Sequence, residues 1–162
     1  MKDIFHDKEF GSFLEGGVDD LEEPIGSLIY HIWQRQLIKT FWSSAGHIND
    51  YHVGMSSRLK THFCYQSGFI FFYPIDNKIS LDFMNQARDF TLKHSFGRWI
   101  EPRPEAIDYH QIILEMEDIA DKVTLAGYSI PQLEVRKPLA KKRLKEFYKF
   151  WEDLDKLVLT QF

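Results

Sequence analysis

Apolar residues recur at helical spacing through much of this chain and switch to strand-like spacing near its middle. From Pro24, the residues Ile25, Leu28, Ile29, Ile32 and Trp33 fall on one helical face. A proline suits the first turn and acids precede it, so the pattern predicts a helix over 24–42, ended by Ser43-Ser44-Ala45-Gly46, with 47–59 a loop or short helix. Between Lys60 and Phe83 the period changes. Lys60–Tyr65 and Gly68–Tyr73 are short, aromatic and bounded by turn residues, which predicts two strands joined as a hairpin at Gln66-Ser67-Gly68. Beyond Pro74, Ile79, Leu81 and Phe83 alternate as a third strand would, whereas Phe83, Ala87, Phe90 and His94 fit a helix; the latter gives a helix over 82–95, closed by Gly97.

The clearest apolar stripe lies within 104–124, where Tyr109, Ile112, Ile113, Met116, Ile119, Ala120 and Val123 share one helical face and acids occupy most of the rest. Gly127 and Pro131 break the chain, and Pro138 opens a last helix whose apolar side carries Ala140, Leu144, Phe147, Trp151, Leu154 and Val158. Residues 1–23 mix Phe5, Phe10, Phe13 and Leu14 with glycines and acids, a short helix or an irregular segment tucked under the body. The expected architecture is α+β in one domain over 1–162: about five helices with a small antiparallel hairpin or three-stranded sheet, an all-α fold being the alternative.

Composition adds bounds. Apolar residues make up 44% and charged residues 27% of 162, a globular balance far from that of disorder. Cys64 is the single cysteine, so neither an intramolecular disulfide nor a cysteine-built zinc site is available, which favours a reducing compartment. Acids stand where a signal peptide would carry bases, and the longest apolar run, Phe69–Tyr73, is far short of the ~20 residues that span a bilayer. A cytoplasmic location without membrane insertion is the expectation. A net charge of −4 argues against nucleic acid as the partner, since phosphate binding needs a cationic face. The charge is also unevenly spread: residues 1–23 hold eight acids and two bases, whereas 136–149 hold seven bases and one acid.

Catalytic and cofactor motifs are scarce. His47, His52 and His62 lack a metal-ligand spacing, glycine-rich phosphate loops and a GxSxG elbow are absent, and Cys64 on a strand reads as a small packed hydrophobe. No metal and no cofactor is therefore expected. Arg88-Asp89 followed by His94 is similar to the R-x5-H motif of the helical ribonucleases of the HEPN family, a resemblance that would make Arg88 a phosphate stabiliser and His94 an acid/base. Seven arginines and seven histidines produce about one such match by chance. The bases Lys137, Lys141, Lys142, Arg143 and Lys145 read as a solvated helix end, because Glu146, Glu152, Asp153 and Asp155 follow at once.

Acids unrelieved by bases make a field that captures a basic partner quickly. Asp19, Asp20, Glu22, Glu23, Glu115, Asp118 and Asp121 are the candidate contacts, with Trp42 and Tyr51 as aromatic anchors. In size, acidity and lack of catalytic motifs the chain resembles the immunity proteins that protect bacteria from the toxins of contact-dependent growth inhibition. That resemblance implies a cytoplasmic, non-catalytic protein that occludes a cationic toxin domain, a nuclease above all. Two alternatives stand beside it: the R-x5-H ribonuclease through Arg88 and His94, and a domain whose 25 aromatic side chains line a cavity for a small ligand.

Overall fold

The computed structural model describes residues 23–49, 62–119, 121–122 and 133–162. The first helix, α1 (Glu23–Gln34), carries the apolar face read from the sequence, and Ile25, Leu28, Ile29 and Ile32 are all buried. It stops eight residues short of the predicted end. Gln36 adopts φ 53°, and the amides of Gln36 and Leu37 donate back to the carbonyls of Trp33 (3.0 Å) and Ile32 (3.1 Å). This is the reverse-turn cap that glycine usually makes. Leu37 and Ile38 then enter the core as the chain extends into β1 (Ile38–Ser44).

β1 is followed by β2 (His47–Asn49), β3 (His62–Gln66) and β4 (Gly68–Pro74). The strands at 62–66 and 68–74 match the sequence reading, but their expected hairpin does not form. β3 and β4 run on through Ser67 into different sheets, and each pairs with an earlier strand instead: β4 with β1, β3 with β2. Residues 38–49 and 62–74 thus make one bent antiparallel ribbon, with its corner at Ala45-Gly46 and Ser67. Trp151 pins that corner by donating its indole N–H to the Ala45 carbonyl (3.1 Å), and a Cβ at Gly68 would stand 2.9 Å from the same oxygen. Gly68 is there for close approach rather than for a turn.

Helix α2 (Lys78–Leu92) begins where Asn77 caps it, its side chain accepting from the Ser80 amide at 2.7 Å while the Ser80 hydroxyl accepts from the Ile75 amide. The predicted helix over 82–95 is therefore present, shifted by about one turn. Gly97 opens the next strand rather than closing the helix: a Cβ there would meet the Thr91 carbonyl oxygen at 2.2 Å.

The stripe within 104–124 folds differently from its helical spacing. No long helix forms there; the described residues give β5 (Gly97–Ile100), β6 (His110–Leu114), a 3₁₀ turn (Glu117–Ile119) and β7 (Asp121–Lys122). β8 (Leu133–Arg136) then leads directly into α3 (Lys137–Gln161), the last helix of the sequence reading. The described residues contain three α-helices, not about five, and two four-stranded antiparallel sheets, not a hairpin or a three-stranded one; the overall class is α+β, and the all-α alternative falls. The first sheet has the order β1-β4-β6-β5, the second β2-β3-β8-β7.

The core lies between the helices and the inner face of the first sheet. Ile38, Ile70, Phe72, Ile112 and Leu114 from the sheet meet Phe83 and Ala87 of α2 and Phe147, Phe150, Trp151, Leu154 and Val158 of α3. Each of the larger aliphatic and phenylalanine side chains contributes about 1.5–3 kcal/mol relative to an exposed position. α1 crosses α3, where Asp155 accepts from the Ser27 hydroxyl and bonds His31 Nδ1, both at 2.7 Å. No described helix is long and apolar enough to cross a membrane.

Candidate functional site

The opposite face of the first sheet carries the most unusual surface. Strand side chains alternate between faces, so with Ile70 and Phe72 turned inward, Phe69, Phe71 and Tyr73 of β4 turn outward. On β1 the register slips between Thr40 and Trp42, a β-bulge that inserts Phe41 as an extra residue. The bulge sends two consecutive side chains to one face. Phe41 stacks on Tyr73 (5.2 Å) and meets Tyr109 edge-on (5.0 Å), while Trp42 lies edge-on to Phe69 (5.2 Å) and Phe71 (5.5 Å). Phe71 also contacts Tyr109 at 5.2 Å. Trp42 remains 60% and Phe41 37% exposed.

The 101–108 segment borders this face. It folds back through the Arg103 amide, which donates to the Ile107 carbonyl (2.8 Å), places Glu105 at φ 72°, and encloses an open hollow of about 520 Å³ lined by Pro102–Asp108. The Tyr73 hydroxyl donates to Asp108 Oδ1 at 3.3 Å, tying the hollow to the rings. Burial and the neighbouring Asp108 carboxylate raise the Tyr73 hydroxyl above the ordinary tyrosine value. On the inner face, His110 stacks on Phe72 at 5.4 Å with its Nδ1 buried and without a hydrogen-bond partner among the described residues; burial lowers its pKa, against an opposing pull from Glu101.

Of the acids singled out in the sequence, Glu115 and Asp118 are the two whose side chains are described, and they are held by different arginines. Asp19, Asp20 and Glu22 lie outside the described residues, as do Tyr51 and His52, and Glu23 and Asp121 open α1 and β7 with side chains that are not described. Glu115 pairs with Arg98 at 3.0 Å. Asp118 takes both arms of Arg143, at 2.6 and 2.9 Å. Those hydrogen bonds hold Asp118 below the ordinary carboxylate range and raise the Arg143 guanidinium. Arg143 is nearly buried, also bonds Glu146 (2.7 Å) and lies 5.1 Å over the Phe96 ring, so this member of the basic run is a structural hub rather than a solvated cation. Lys141, Lys142 and Lys145 are exposed.

Arg88 and His94 each engage other partners. They stand six residues apart on α2 and just past its end, roughly 120° apart around the axis. Arg88 lies against Asp89 (3.5 Å), and the His94 Nδ1–H donates to the Phe90 carbonyl (3.0 Å) with its ring among Phe90, Phe96 and Phe150. Among the described residues, no three histidine, cysteine or carboxylate side chains converge as metal ligands. Among the described residues, the aromatics of the first sheet divide between a packed core and an outer face on which Phe41 and Trp42 are exposed.

Sequence reasoning singled out Trp42 and missed the rest of the site. The strand at 68–74 was legible, but its unbroken apolar run hides which of its rings face outward, and the bulge that adds Phe41 leaves no signal. Compared with protein-family models, with known proteins and with solved structures, the chain finds no match in any of the three.

Proposed function

We propose that this chain is a non-catalytic binding module that occludes a protein partner through the outer face of its first sheet. The observation that carries the reading is the bulge-presented pair Phe41 and Trp42, exposed beside a continuous cluster of rings. Exposed aromatic groups of this kind are where binding free energy concentrates in protein interfaces. The edge of the same sheet is a poorer contact: the bulge interrupts the β1 ladder and Lys39 stands on it, both of which discourage strand addition. A basic toxin domain is the partner class that the net charge of −4 favours. With Glu115 and Asp118 engaged by arginines, the rings and the 101–108 carboxylates replace those two acids as the proposed contacts.

The test is capture followed by protection. The immobilised chain is expected to retain a basic protein identified by mass spectrometry, and coexpression is expected to relieve that protein's toxicity. Retention that persists unchanged with Phe41→Ala/Trp42→Ala overturns the proposed surface. Purified chain that degrades RNA and loses this activity with Arg88→Ala or His94→Ala overturns the binding module itself.

A further inference from the structure

We infer that the occupant of the outer face is an arginine-bearing segment of the partner, its guanidinium seated between Asp108 and the rings of Phe41 and Tyr109. This rests on the binding reading above and specifies its chemistry. The geometry supplies both halves of a guanidinium site. Phe41, Tyr73 and Tyr109 form one contiguous group of rings, and Asp108 is joined to it through the Tyr73 hydroxyl. A planar cation gains from stacking on an aromatic face and from a two-pronged bond to a carboxylate, whereas an ammonium gains mainly the charge term.

Charge complementarity selects the same occupant. In the hollow beside the rings Glu105 and Asp108 are exposed and form no ion pair among the described residues. The nearby base Arg98 is already bound to Glu115. Arg103 is the one base within 101–108, and Lys39 stands opposite Tyr73 on β1, on the side of β4 away from Asp108. Within the hollow two acids face the single base Arg103, while over β1 the charge is that of Lys39. A phosphate-bearing strand would meet the Glu105 and Asp108 carboxylates with repulsion, so the aromatic face suits a basic peptide better than a nucleic acid.

The test uses the intact chain and a seven-residue peptide alternating glycine and arginine, with lysine and citrulline versions and a ten-nucleotide deoxythymidine strand as comparisons. Ring and indole NMR signals of Phe41, Trp42, Tyr73 and Tyr109 report occupancy. The arginine peptide is expected to shift these signals, to bind about tenfold more tightly than the citrulline peptide, and to lose about as much with Asp108→Asn. The lysine peptide is expected to fall between them. Citrulline and arginine peptides binding equally well at the same rings overturns the guanidinium assignment while leaving the face as a docking surface. Shifts produced by the oligonucleotide and not by the peptides overturn the occupant in favour of nucleic acid. Absence of any shift in the rings overturns this proposal; the docking surface then stands or falls separately, on whether Phe41→Ala/Trp42→Ala releases the captured protein.

Discussion

On the inner side of β4, Ile70 and Phe72 are fully buried beneath helices; on its outer side, Phe71 and Tyr73 pack against rings of the same face, and Trp42 beside them stays 60% exposed. The two faces of one strand are therefore similarly apolar and differently covered. Folding explains the first, because a sheet must bury one face against something. It does not require the second, whose rings gain only partial burial and mutual contacts worth about 0.5–1.5 kcal/mol per pair. Phe41 and Trp42, left exposed at the rim of those rings, are the basis of the proposed docking surface.

Substitutions break this comparison in order of size. Phe72→Ala removes a fully buried ring from the inner face and is expected to cost about 3–5 kcal/mol, read as a lower urea midpoint with an unchanged slope. Arg143→Met should cost less, about 1–3 kcal/mol, because it abandons the Glu115 carbonyl, Asp118 and Glu146 at once while keeping most of the packing. A Phe72→Ala loss no larger than that of an outer ring would erase the distinction between the faces.

His110 sharpens the comparison through pH. Its folded-state pKa lies below the ordinary 6.5, since burial disfavours the imidazolium, so the unfolded chain binds protons more readily. Its contribution to stability is full above about pH 6.5 and is lost as pH falls below that value through the folded pKa. Thermal melts at pH 7.5 and 5 are expected to differ less for His110→Phe than for the natural chain. An identical pH slope in both would remove His110 as the cause. The smallest stability effect belongs to the outer face: Trp42→Ala is expected to cost about 1 kcal/mol or less.

The helices were the most legible part of the chain because each buries one stripe and exposes another. α3 and α2 follow the spacing of Ala140, Phe147, Trp151 and of Phe83, Ala87 closely. β6 misled for the opposite reason. Ile112 and Leu114 face the core while Tyr109 and Ile113 face the ring side, so alternation disappears and what remains of Tyr109, Ile112, Ile113 and Met116 mimics a helical stripe. The end of α1 was hidden because Gln36, not glycine, takes the left-handed turn. The hairpin error has a similar root: Gln66-Ser67-Gly68 reads as a turn, yet the chain passes straight through it from one sheet to the other. Of the site, Trp42 was visible as an aromatic anchor, whereas the slip that sets Phe41 beside it leaves no mark in a single sequence.

The most direct measurement is the affinity of Phe41→Ala/Trp42→Ala for the captured partner, taken by calorimetry beside a thermal melt of the same protein. A loss of at least about thirtyfold in affinity with a melting temperature within a few degrees of the natural chain is expected for rings kept for binding. Unchanged affinity, or a collapse of the melt as deep as that of Phe72→Ala, would contradict it.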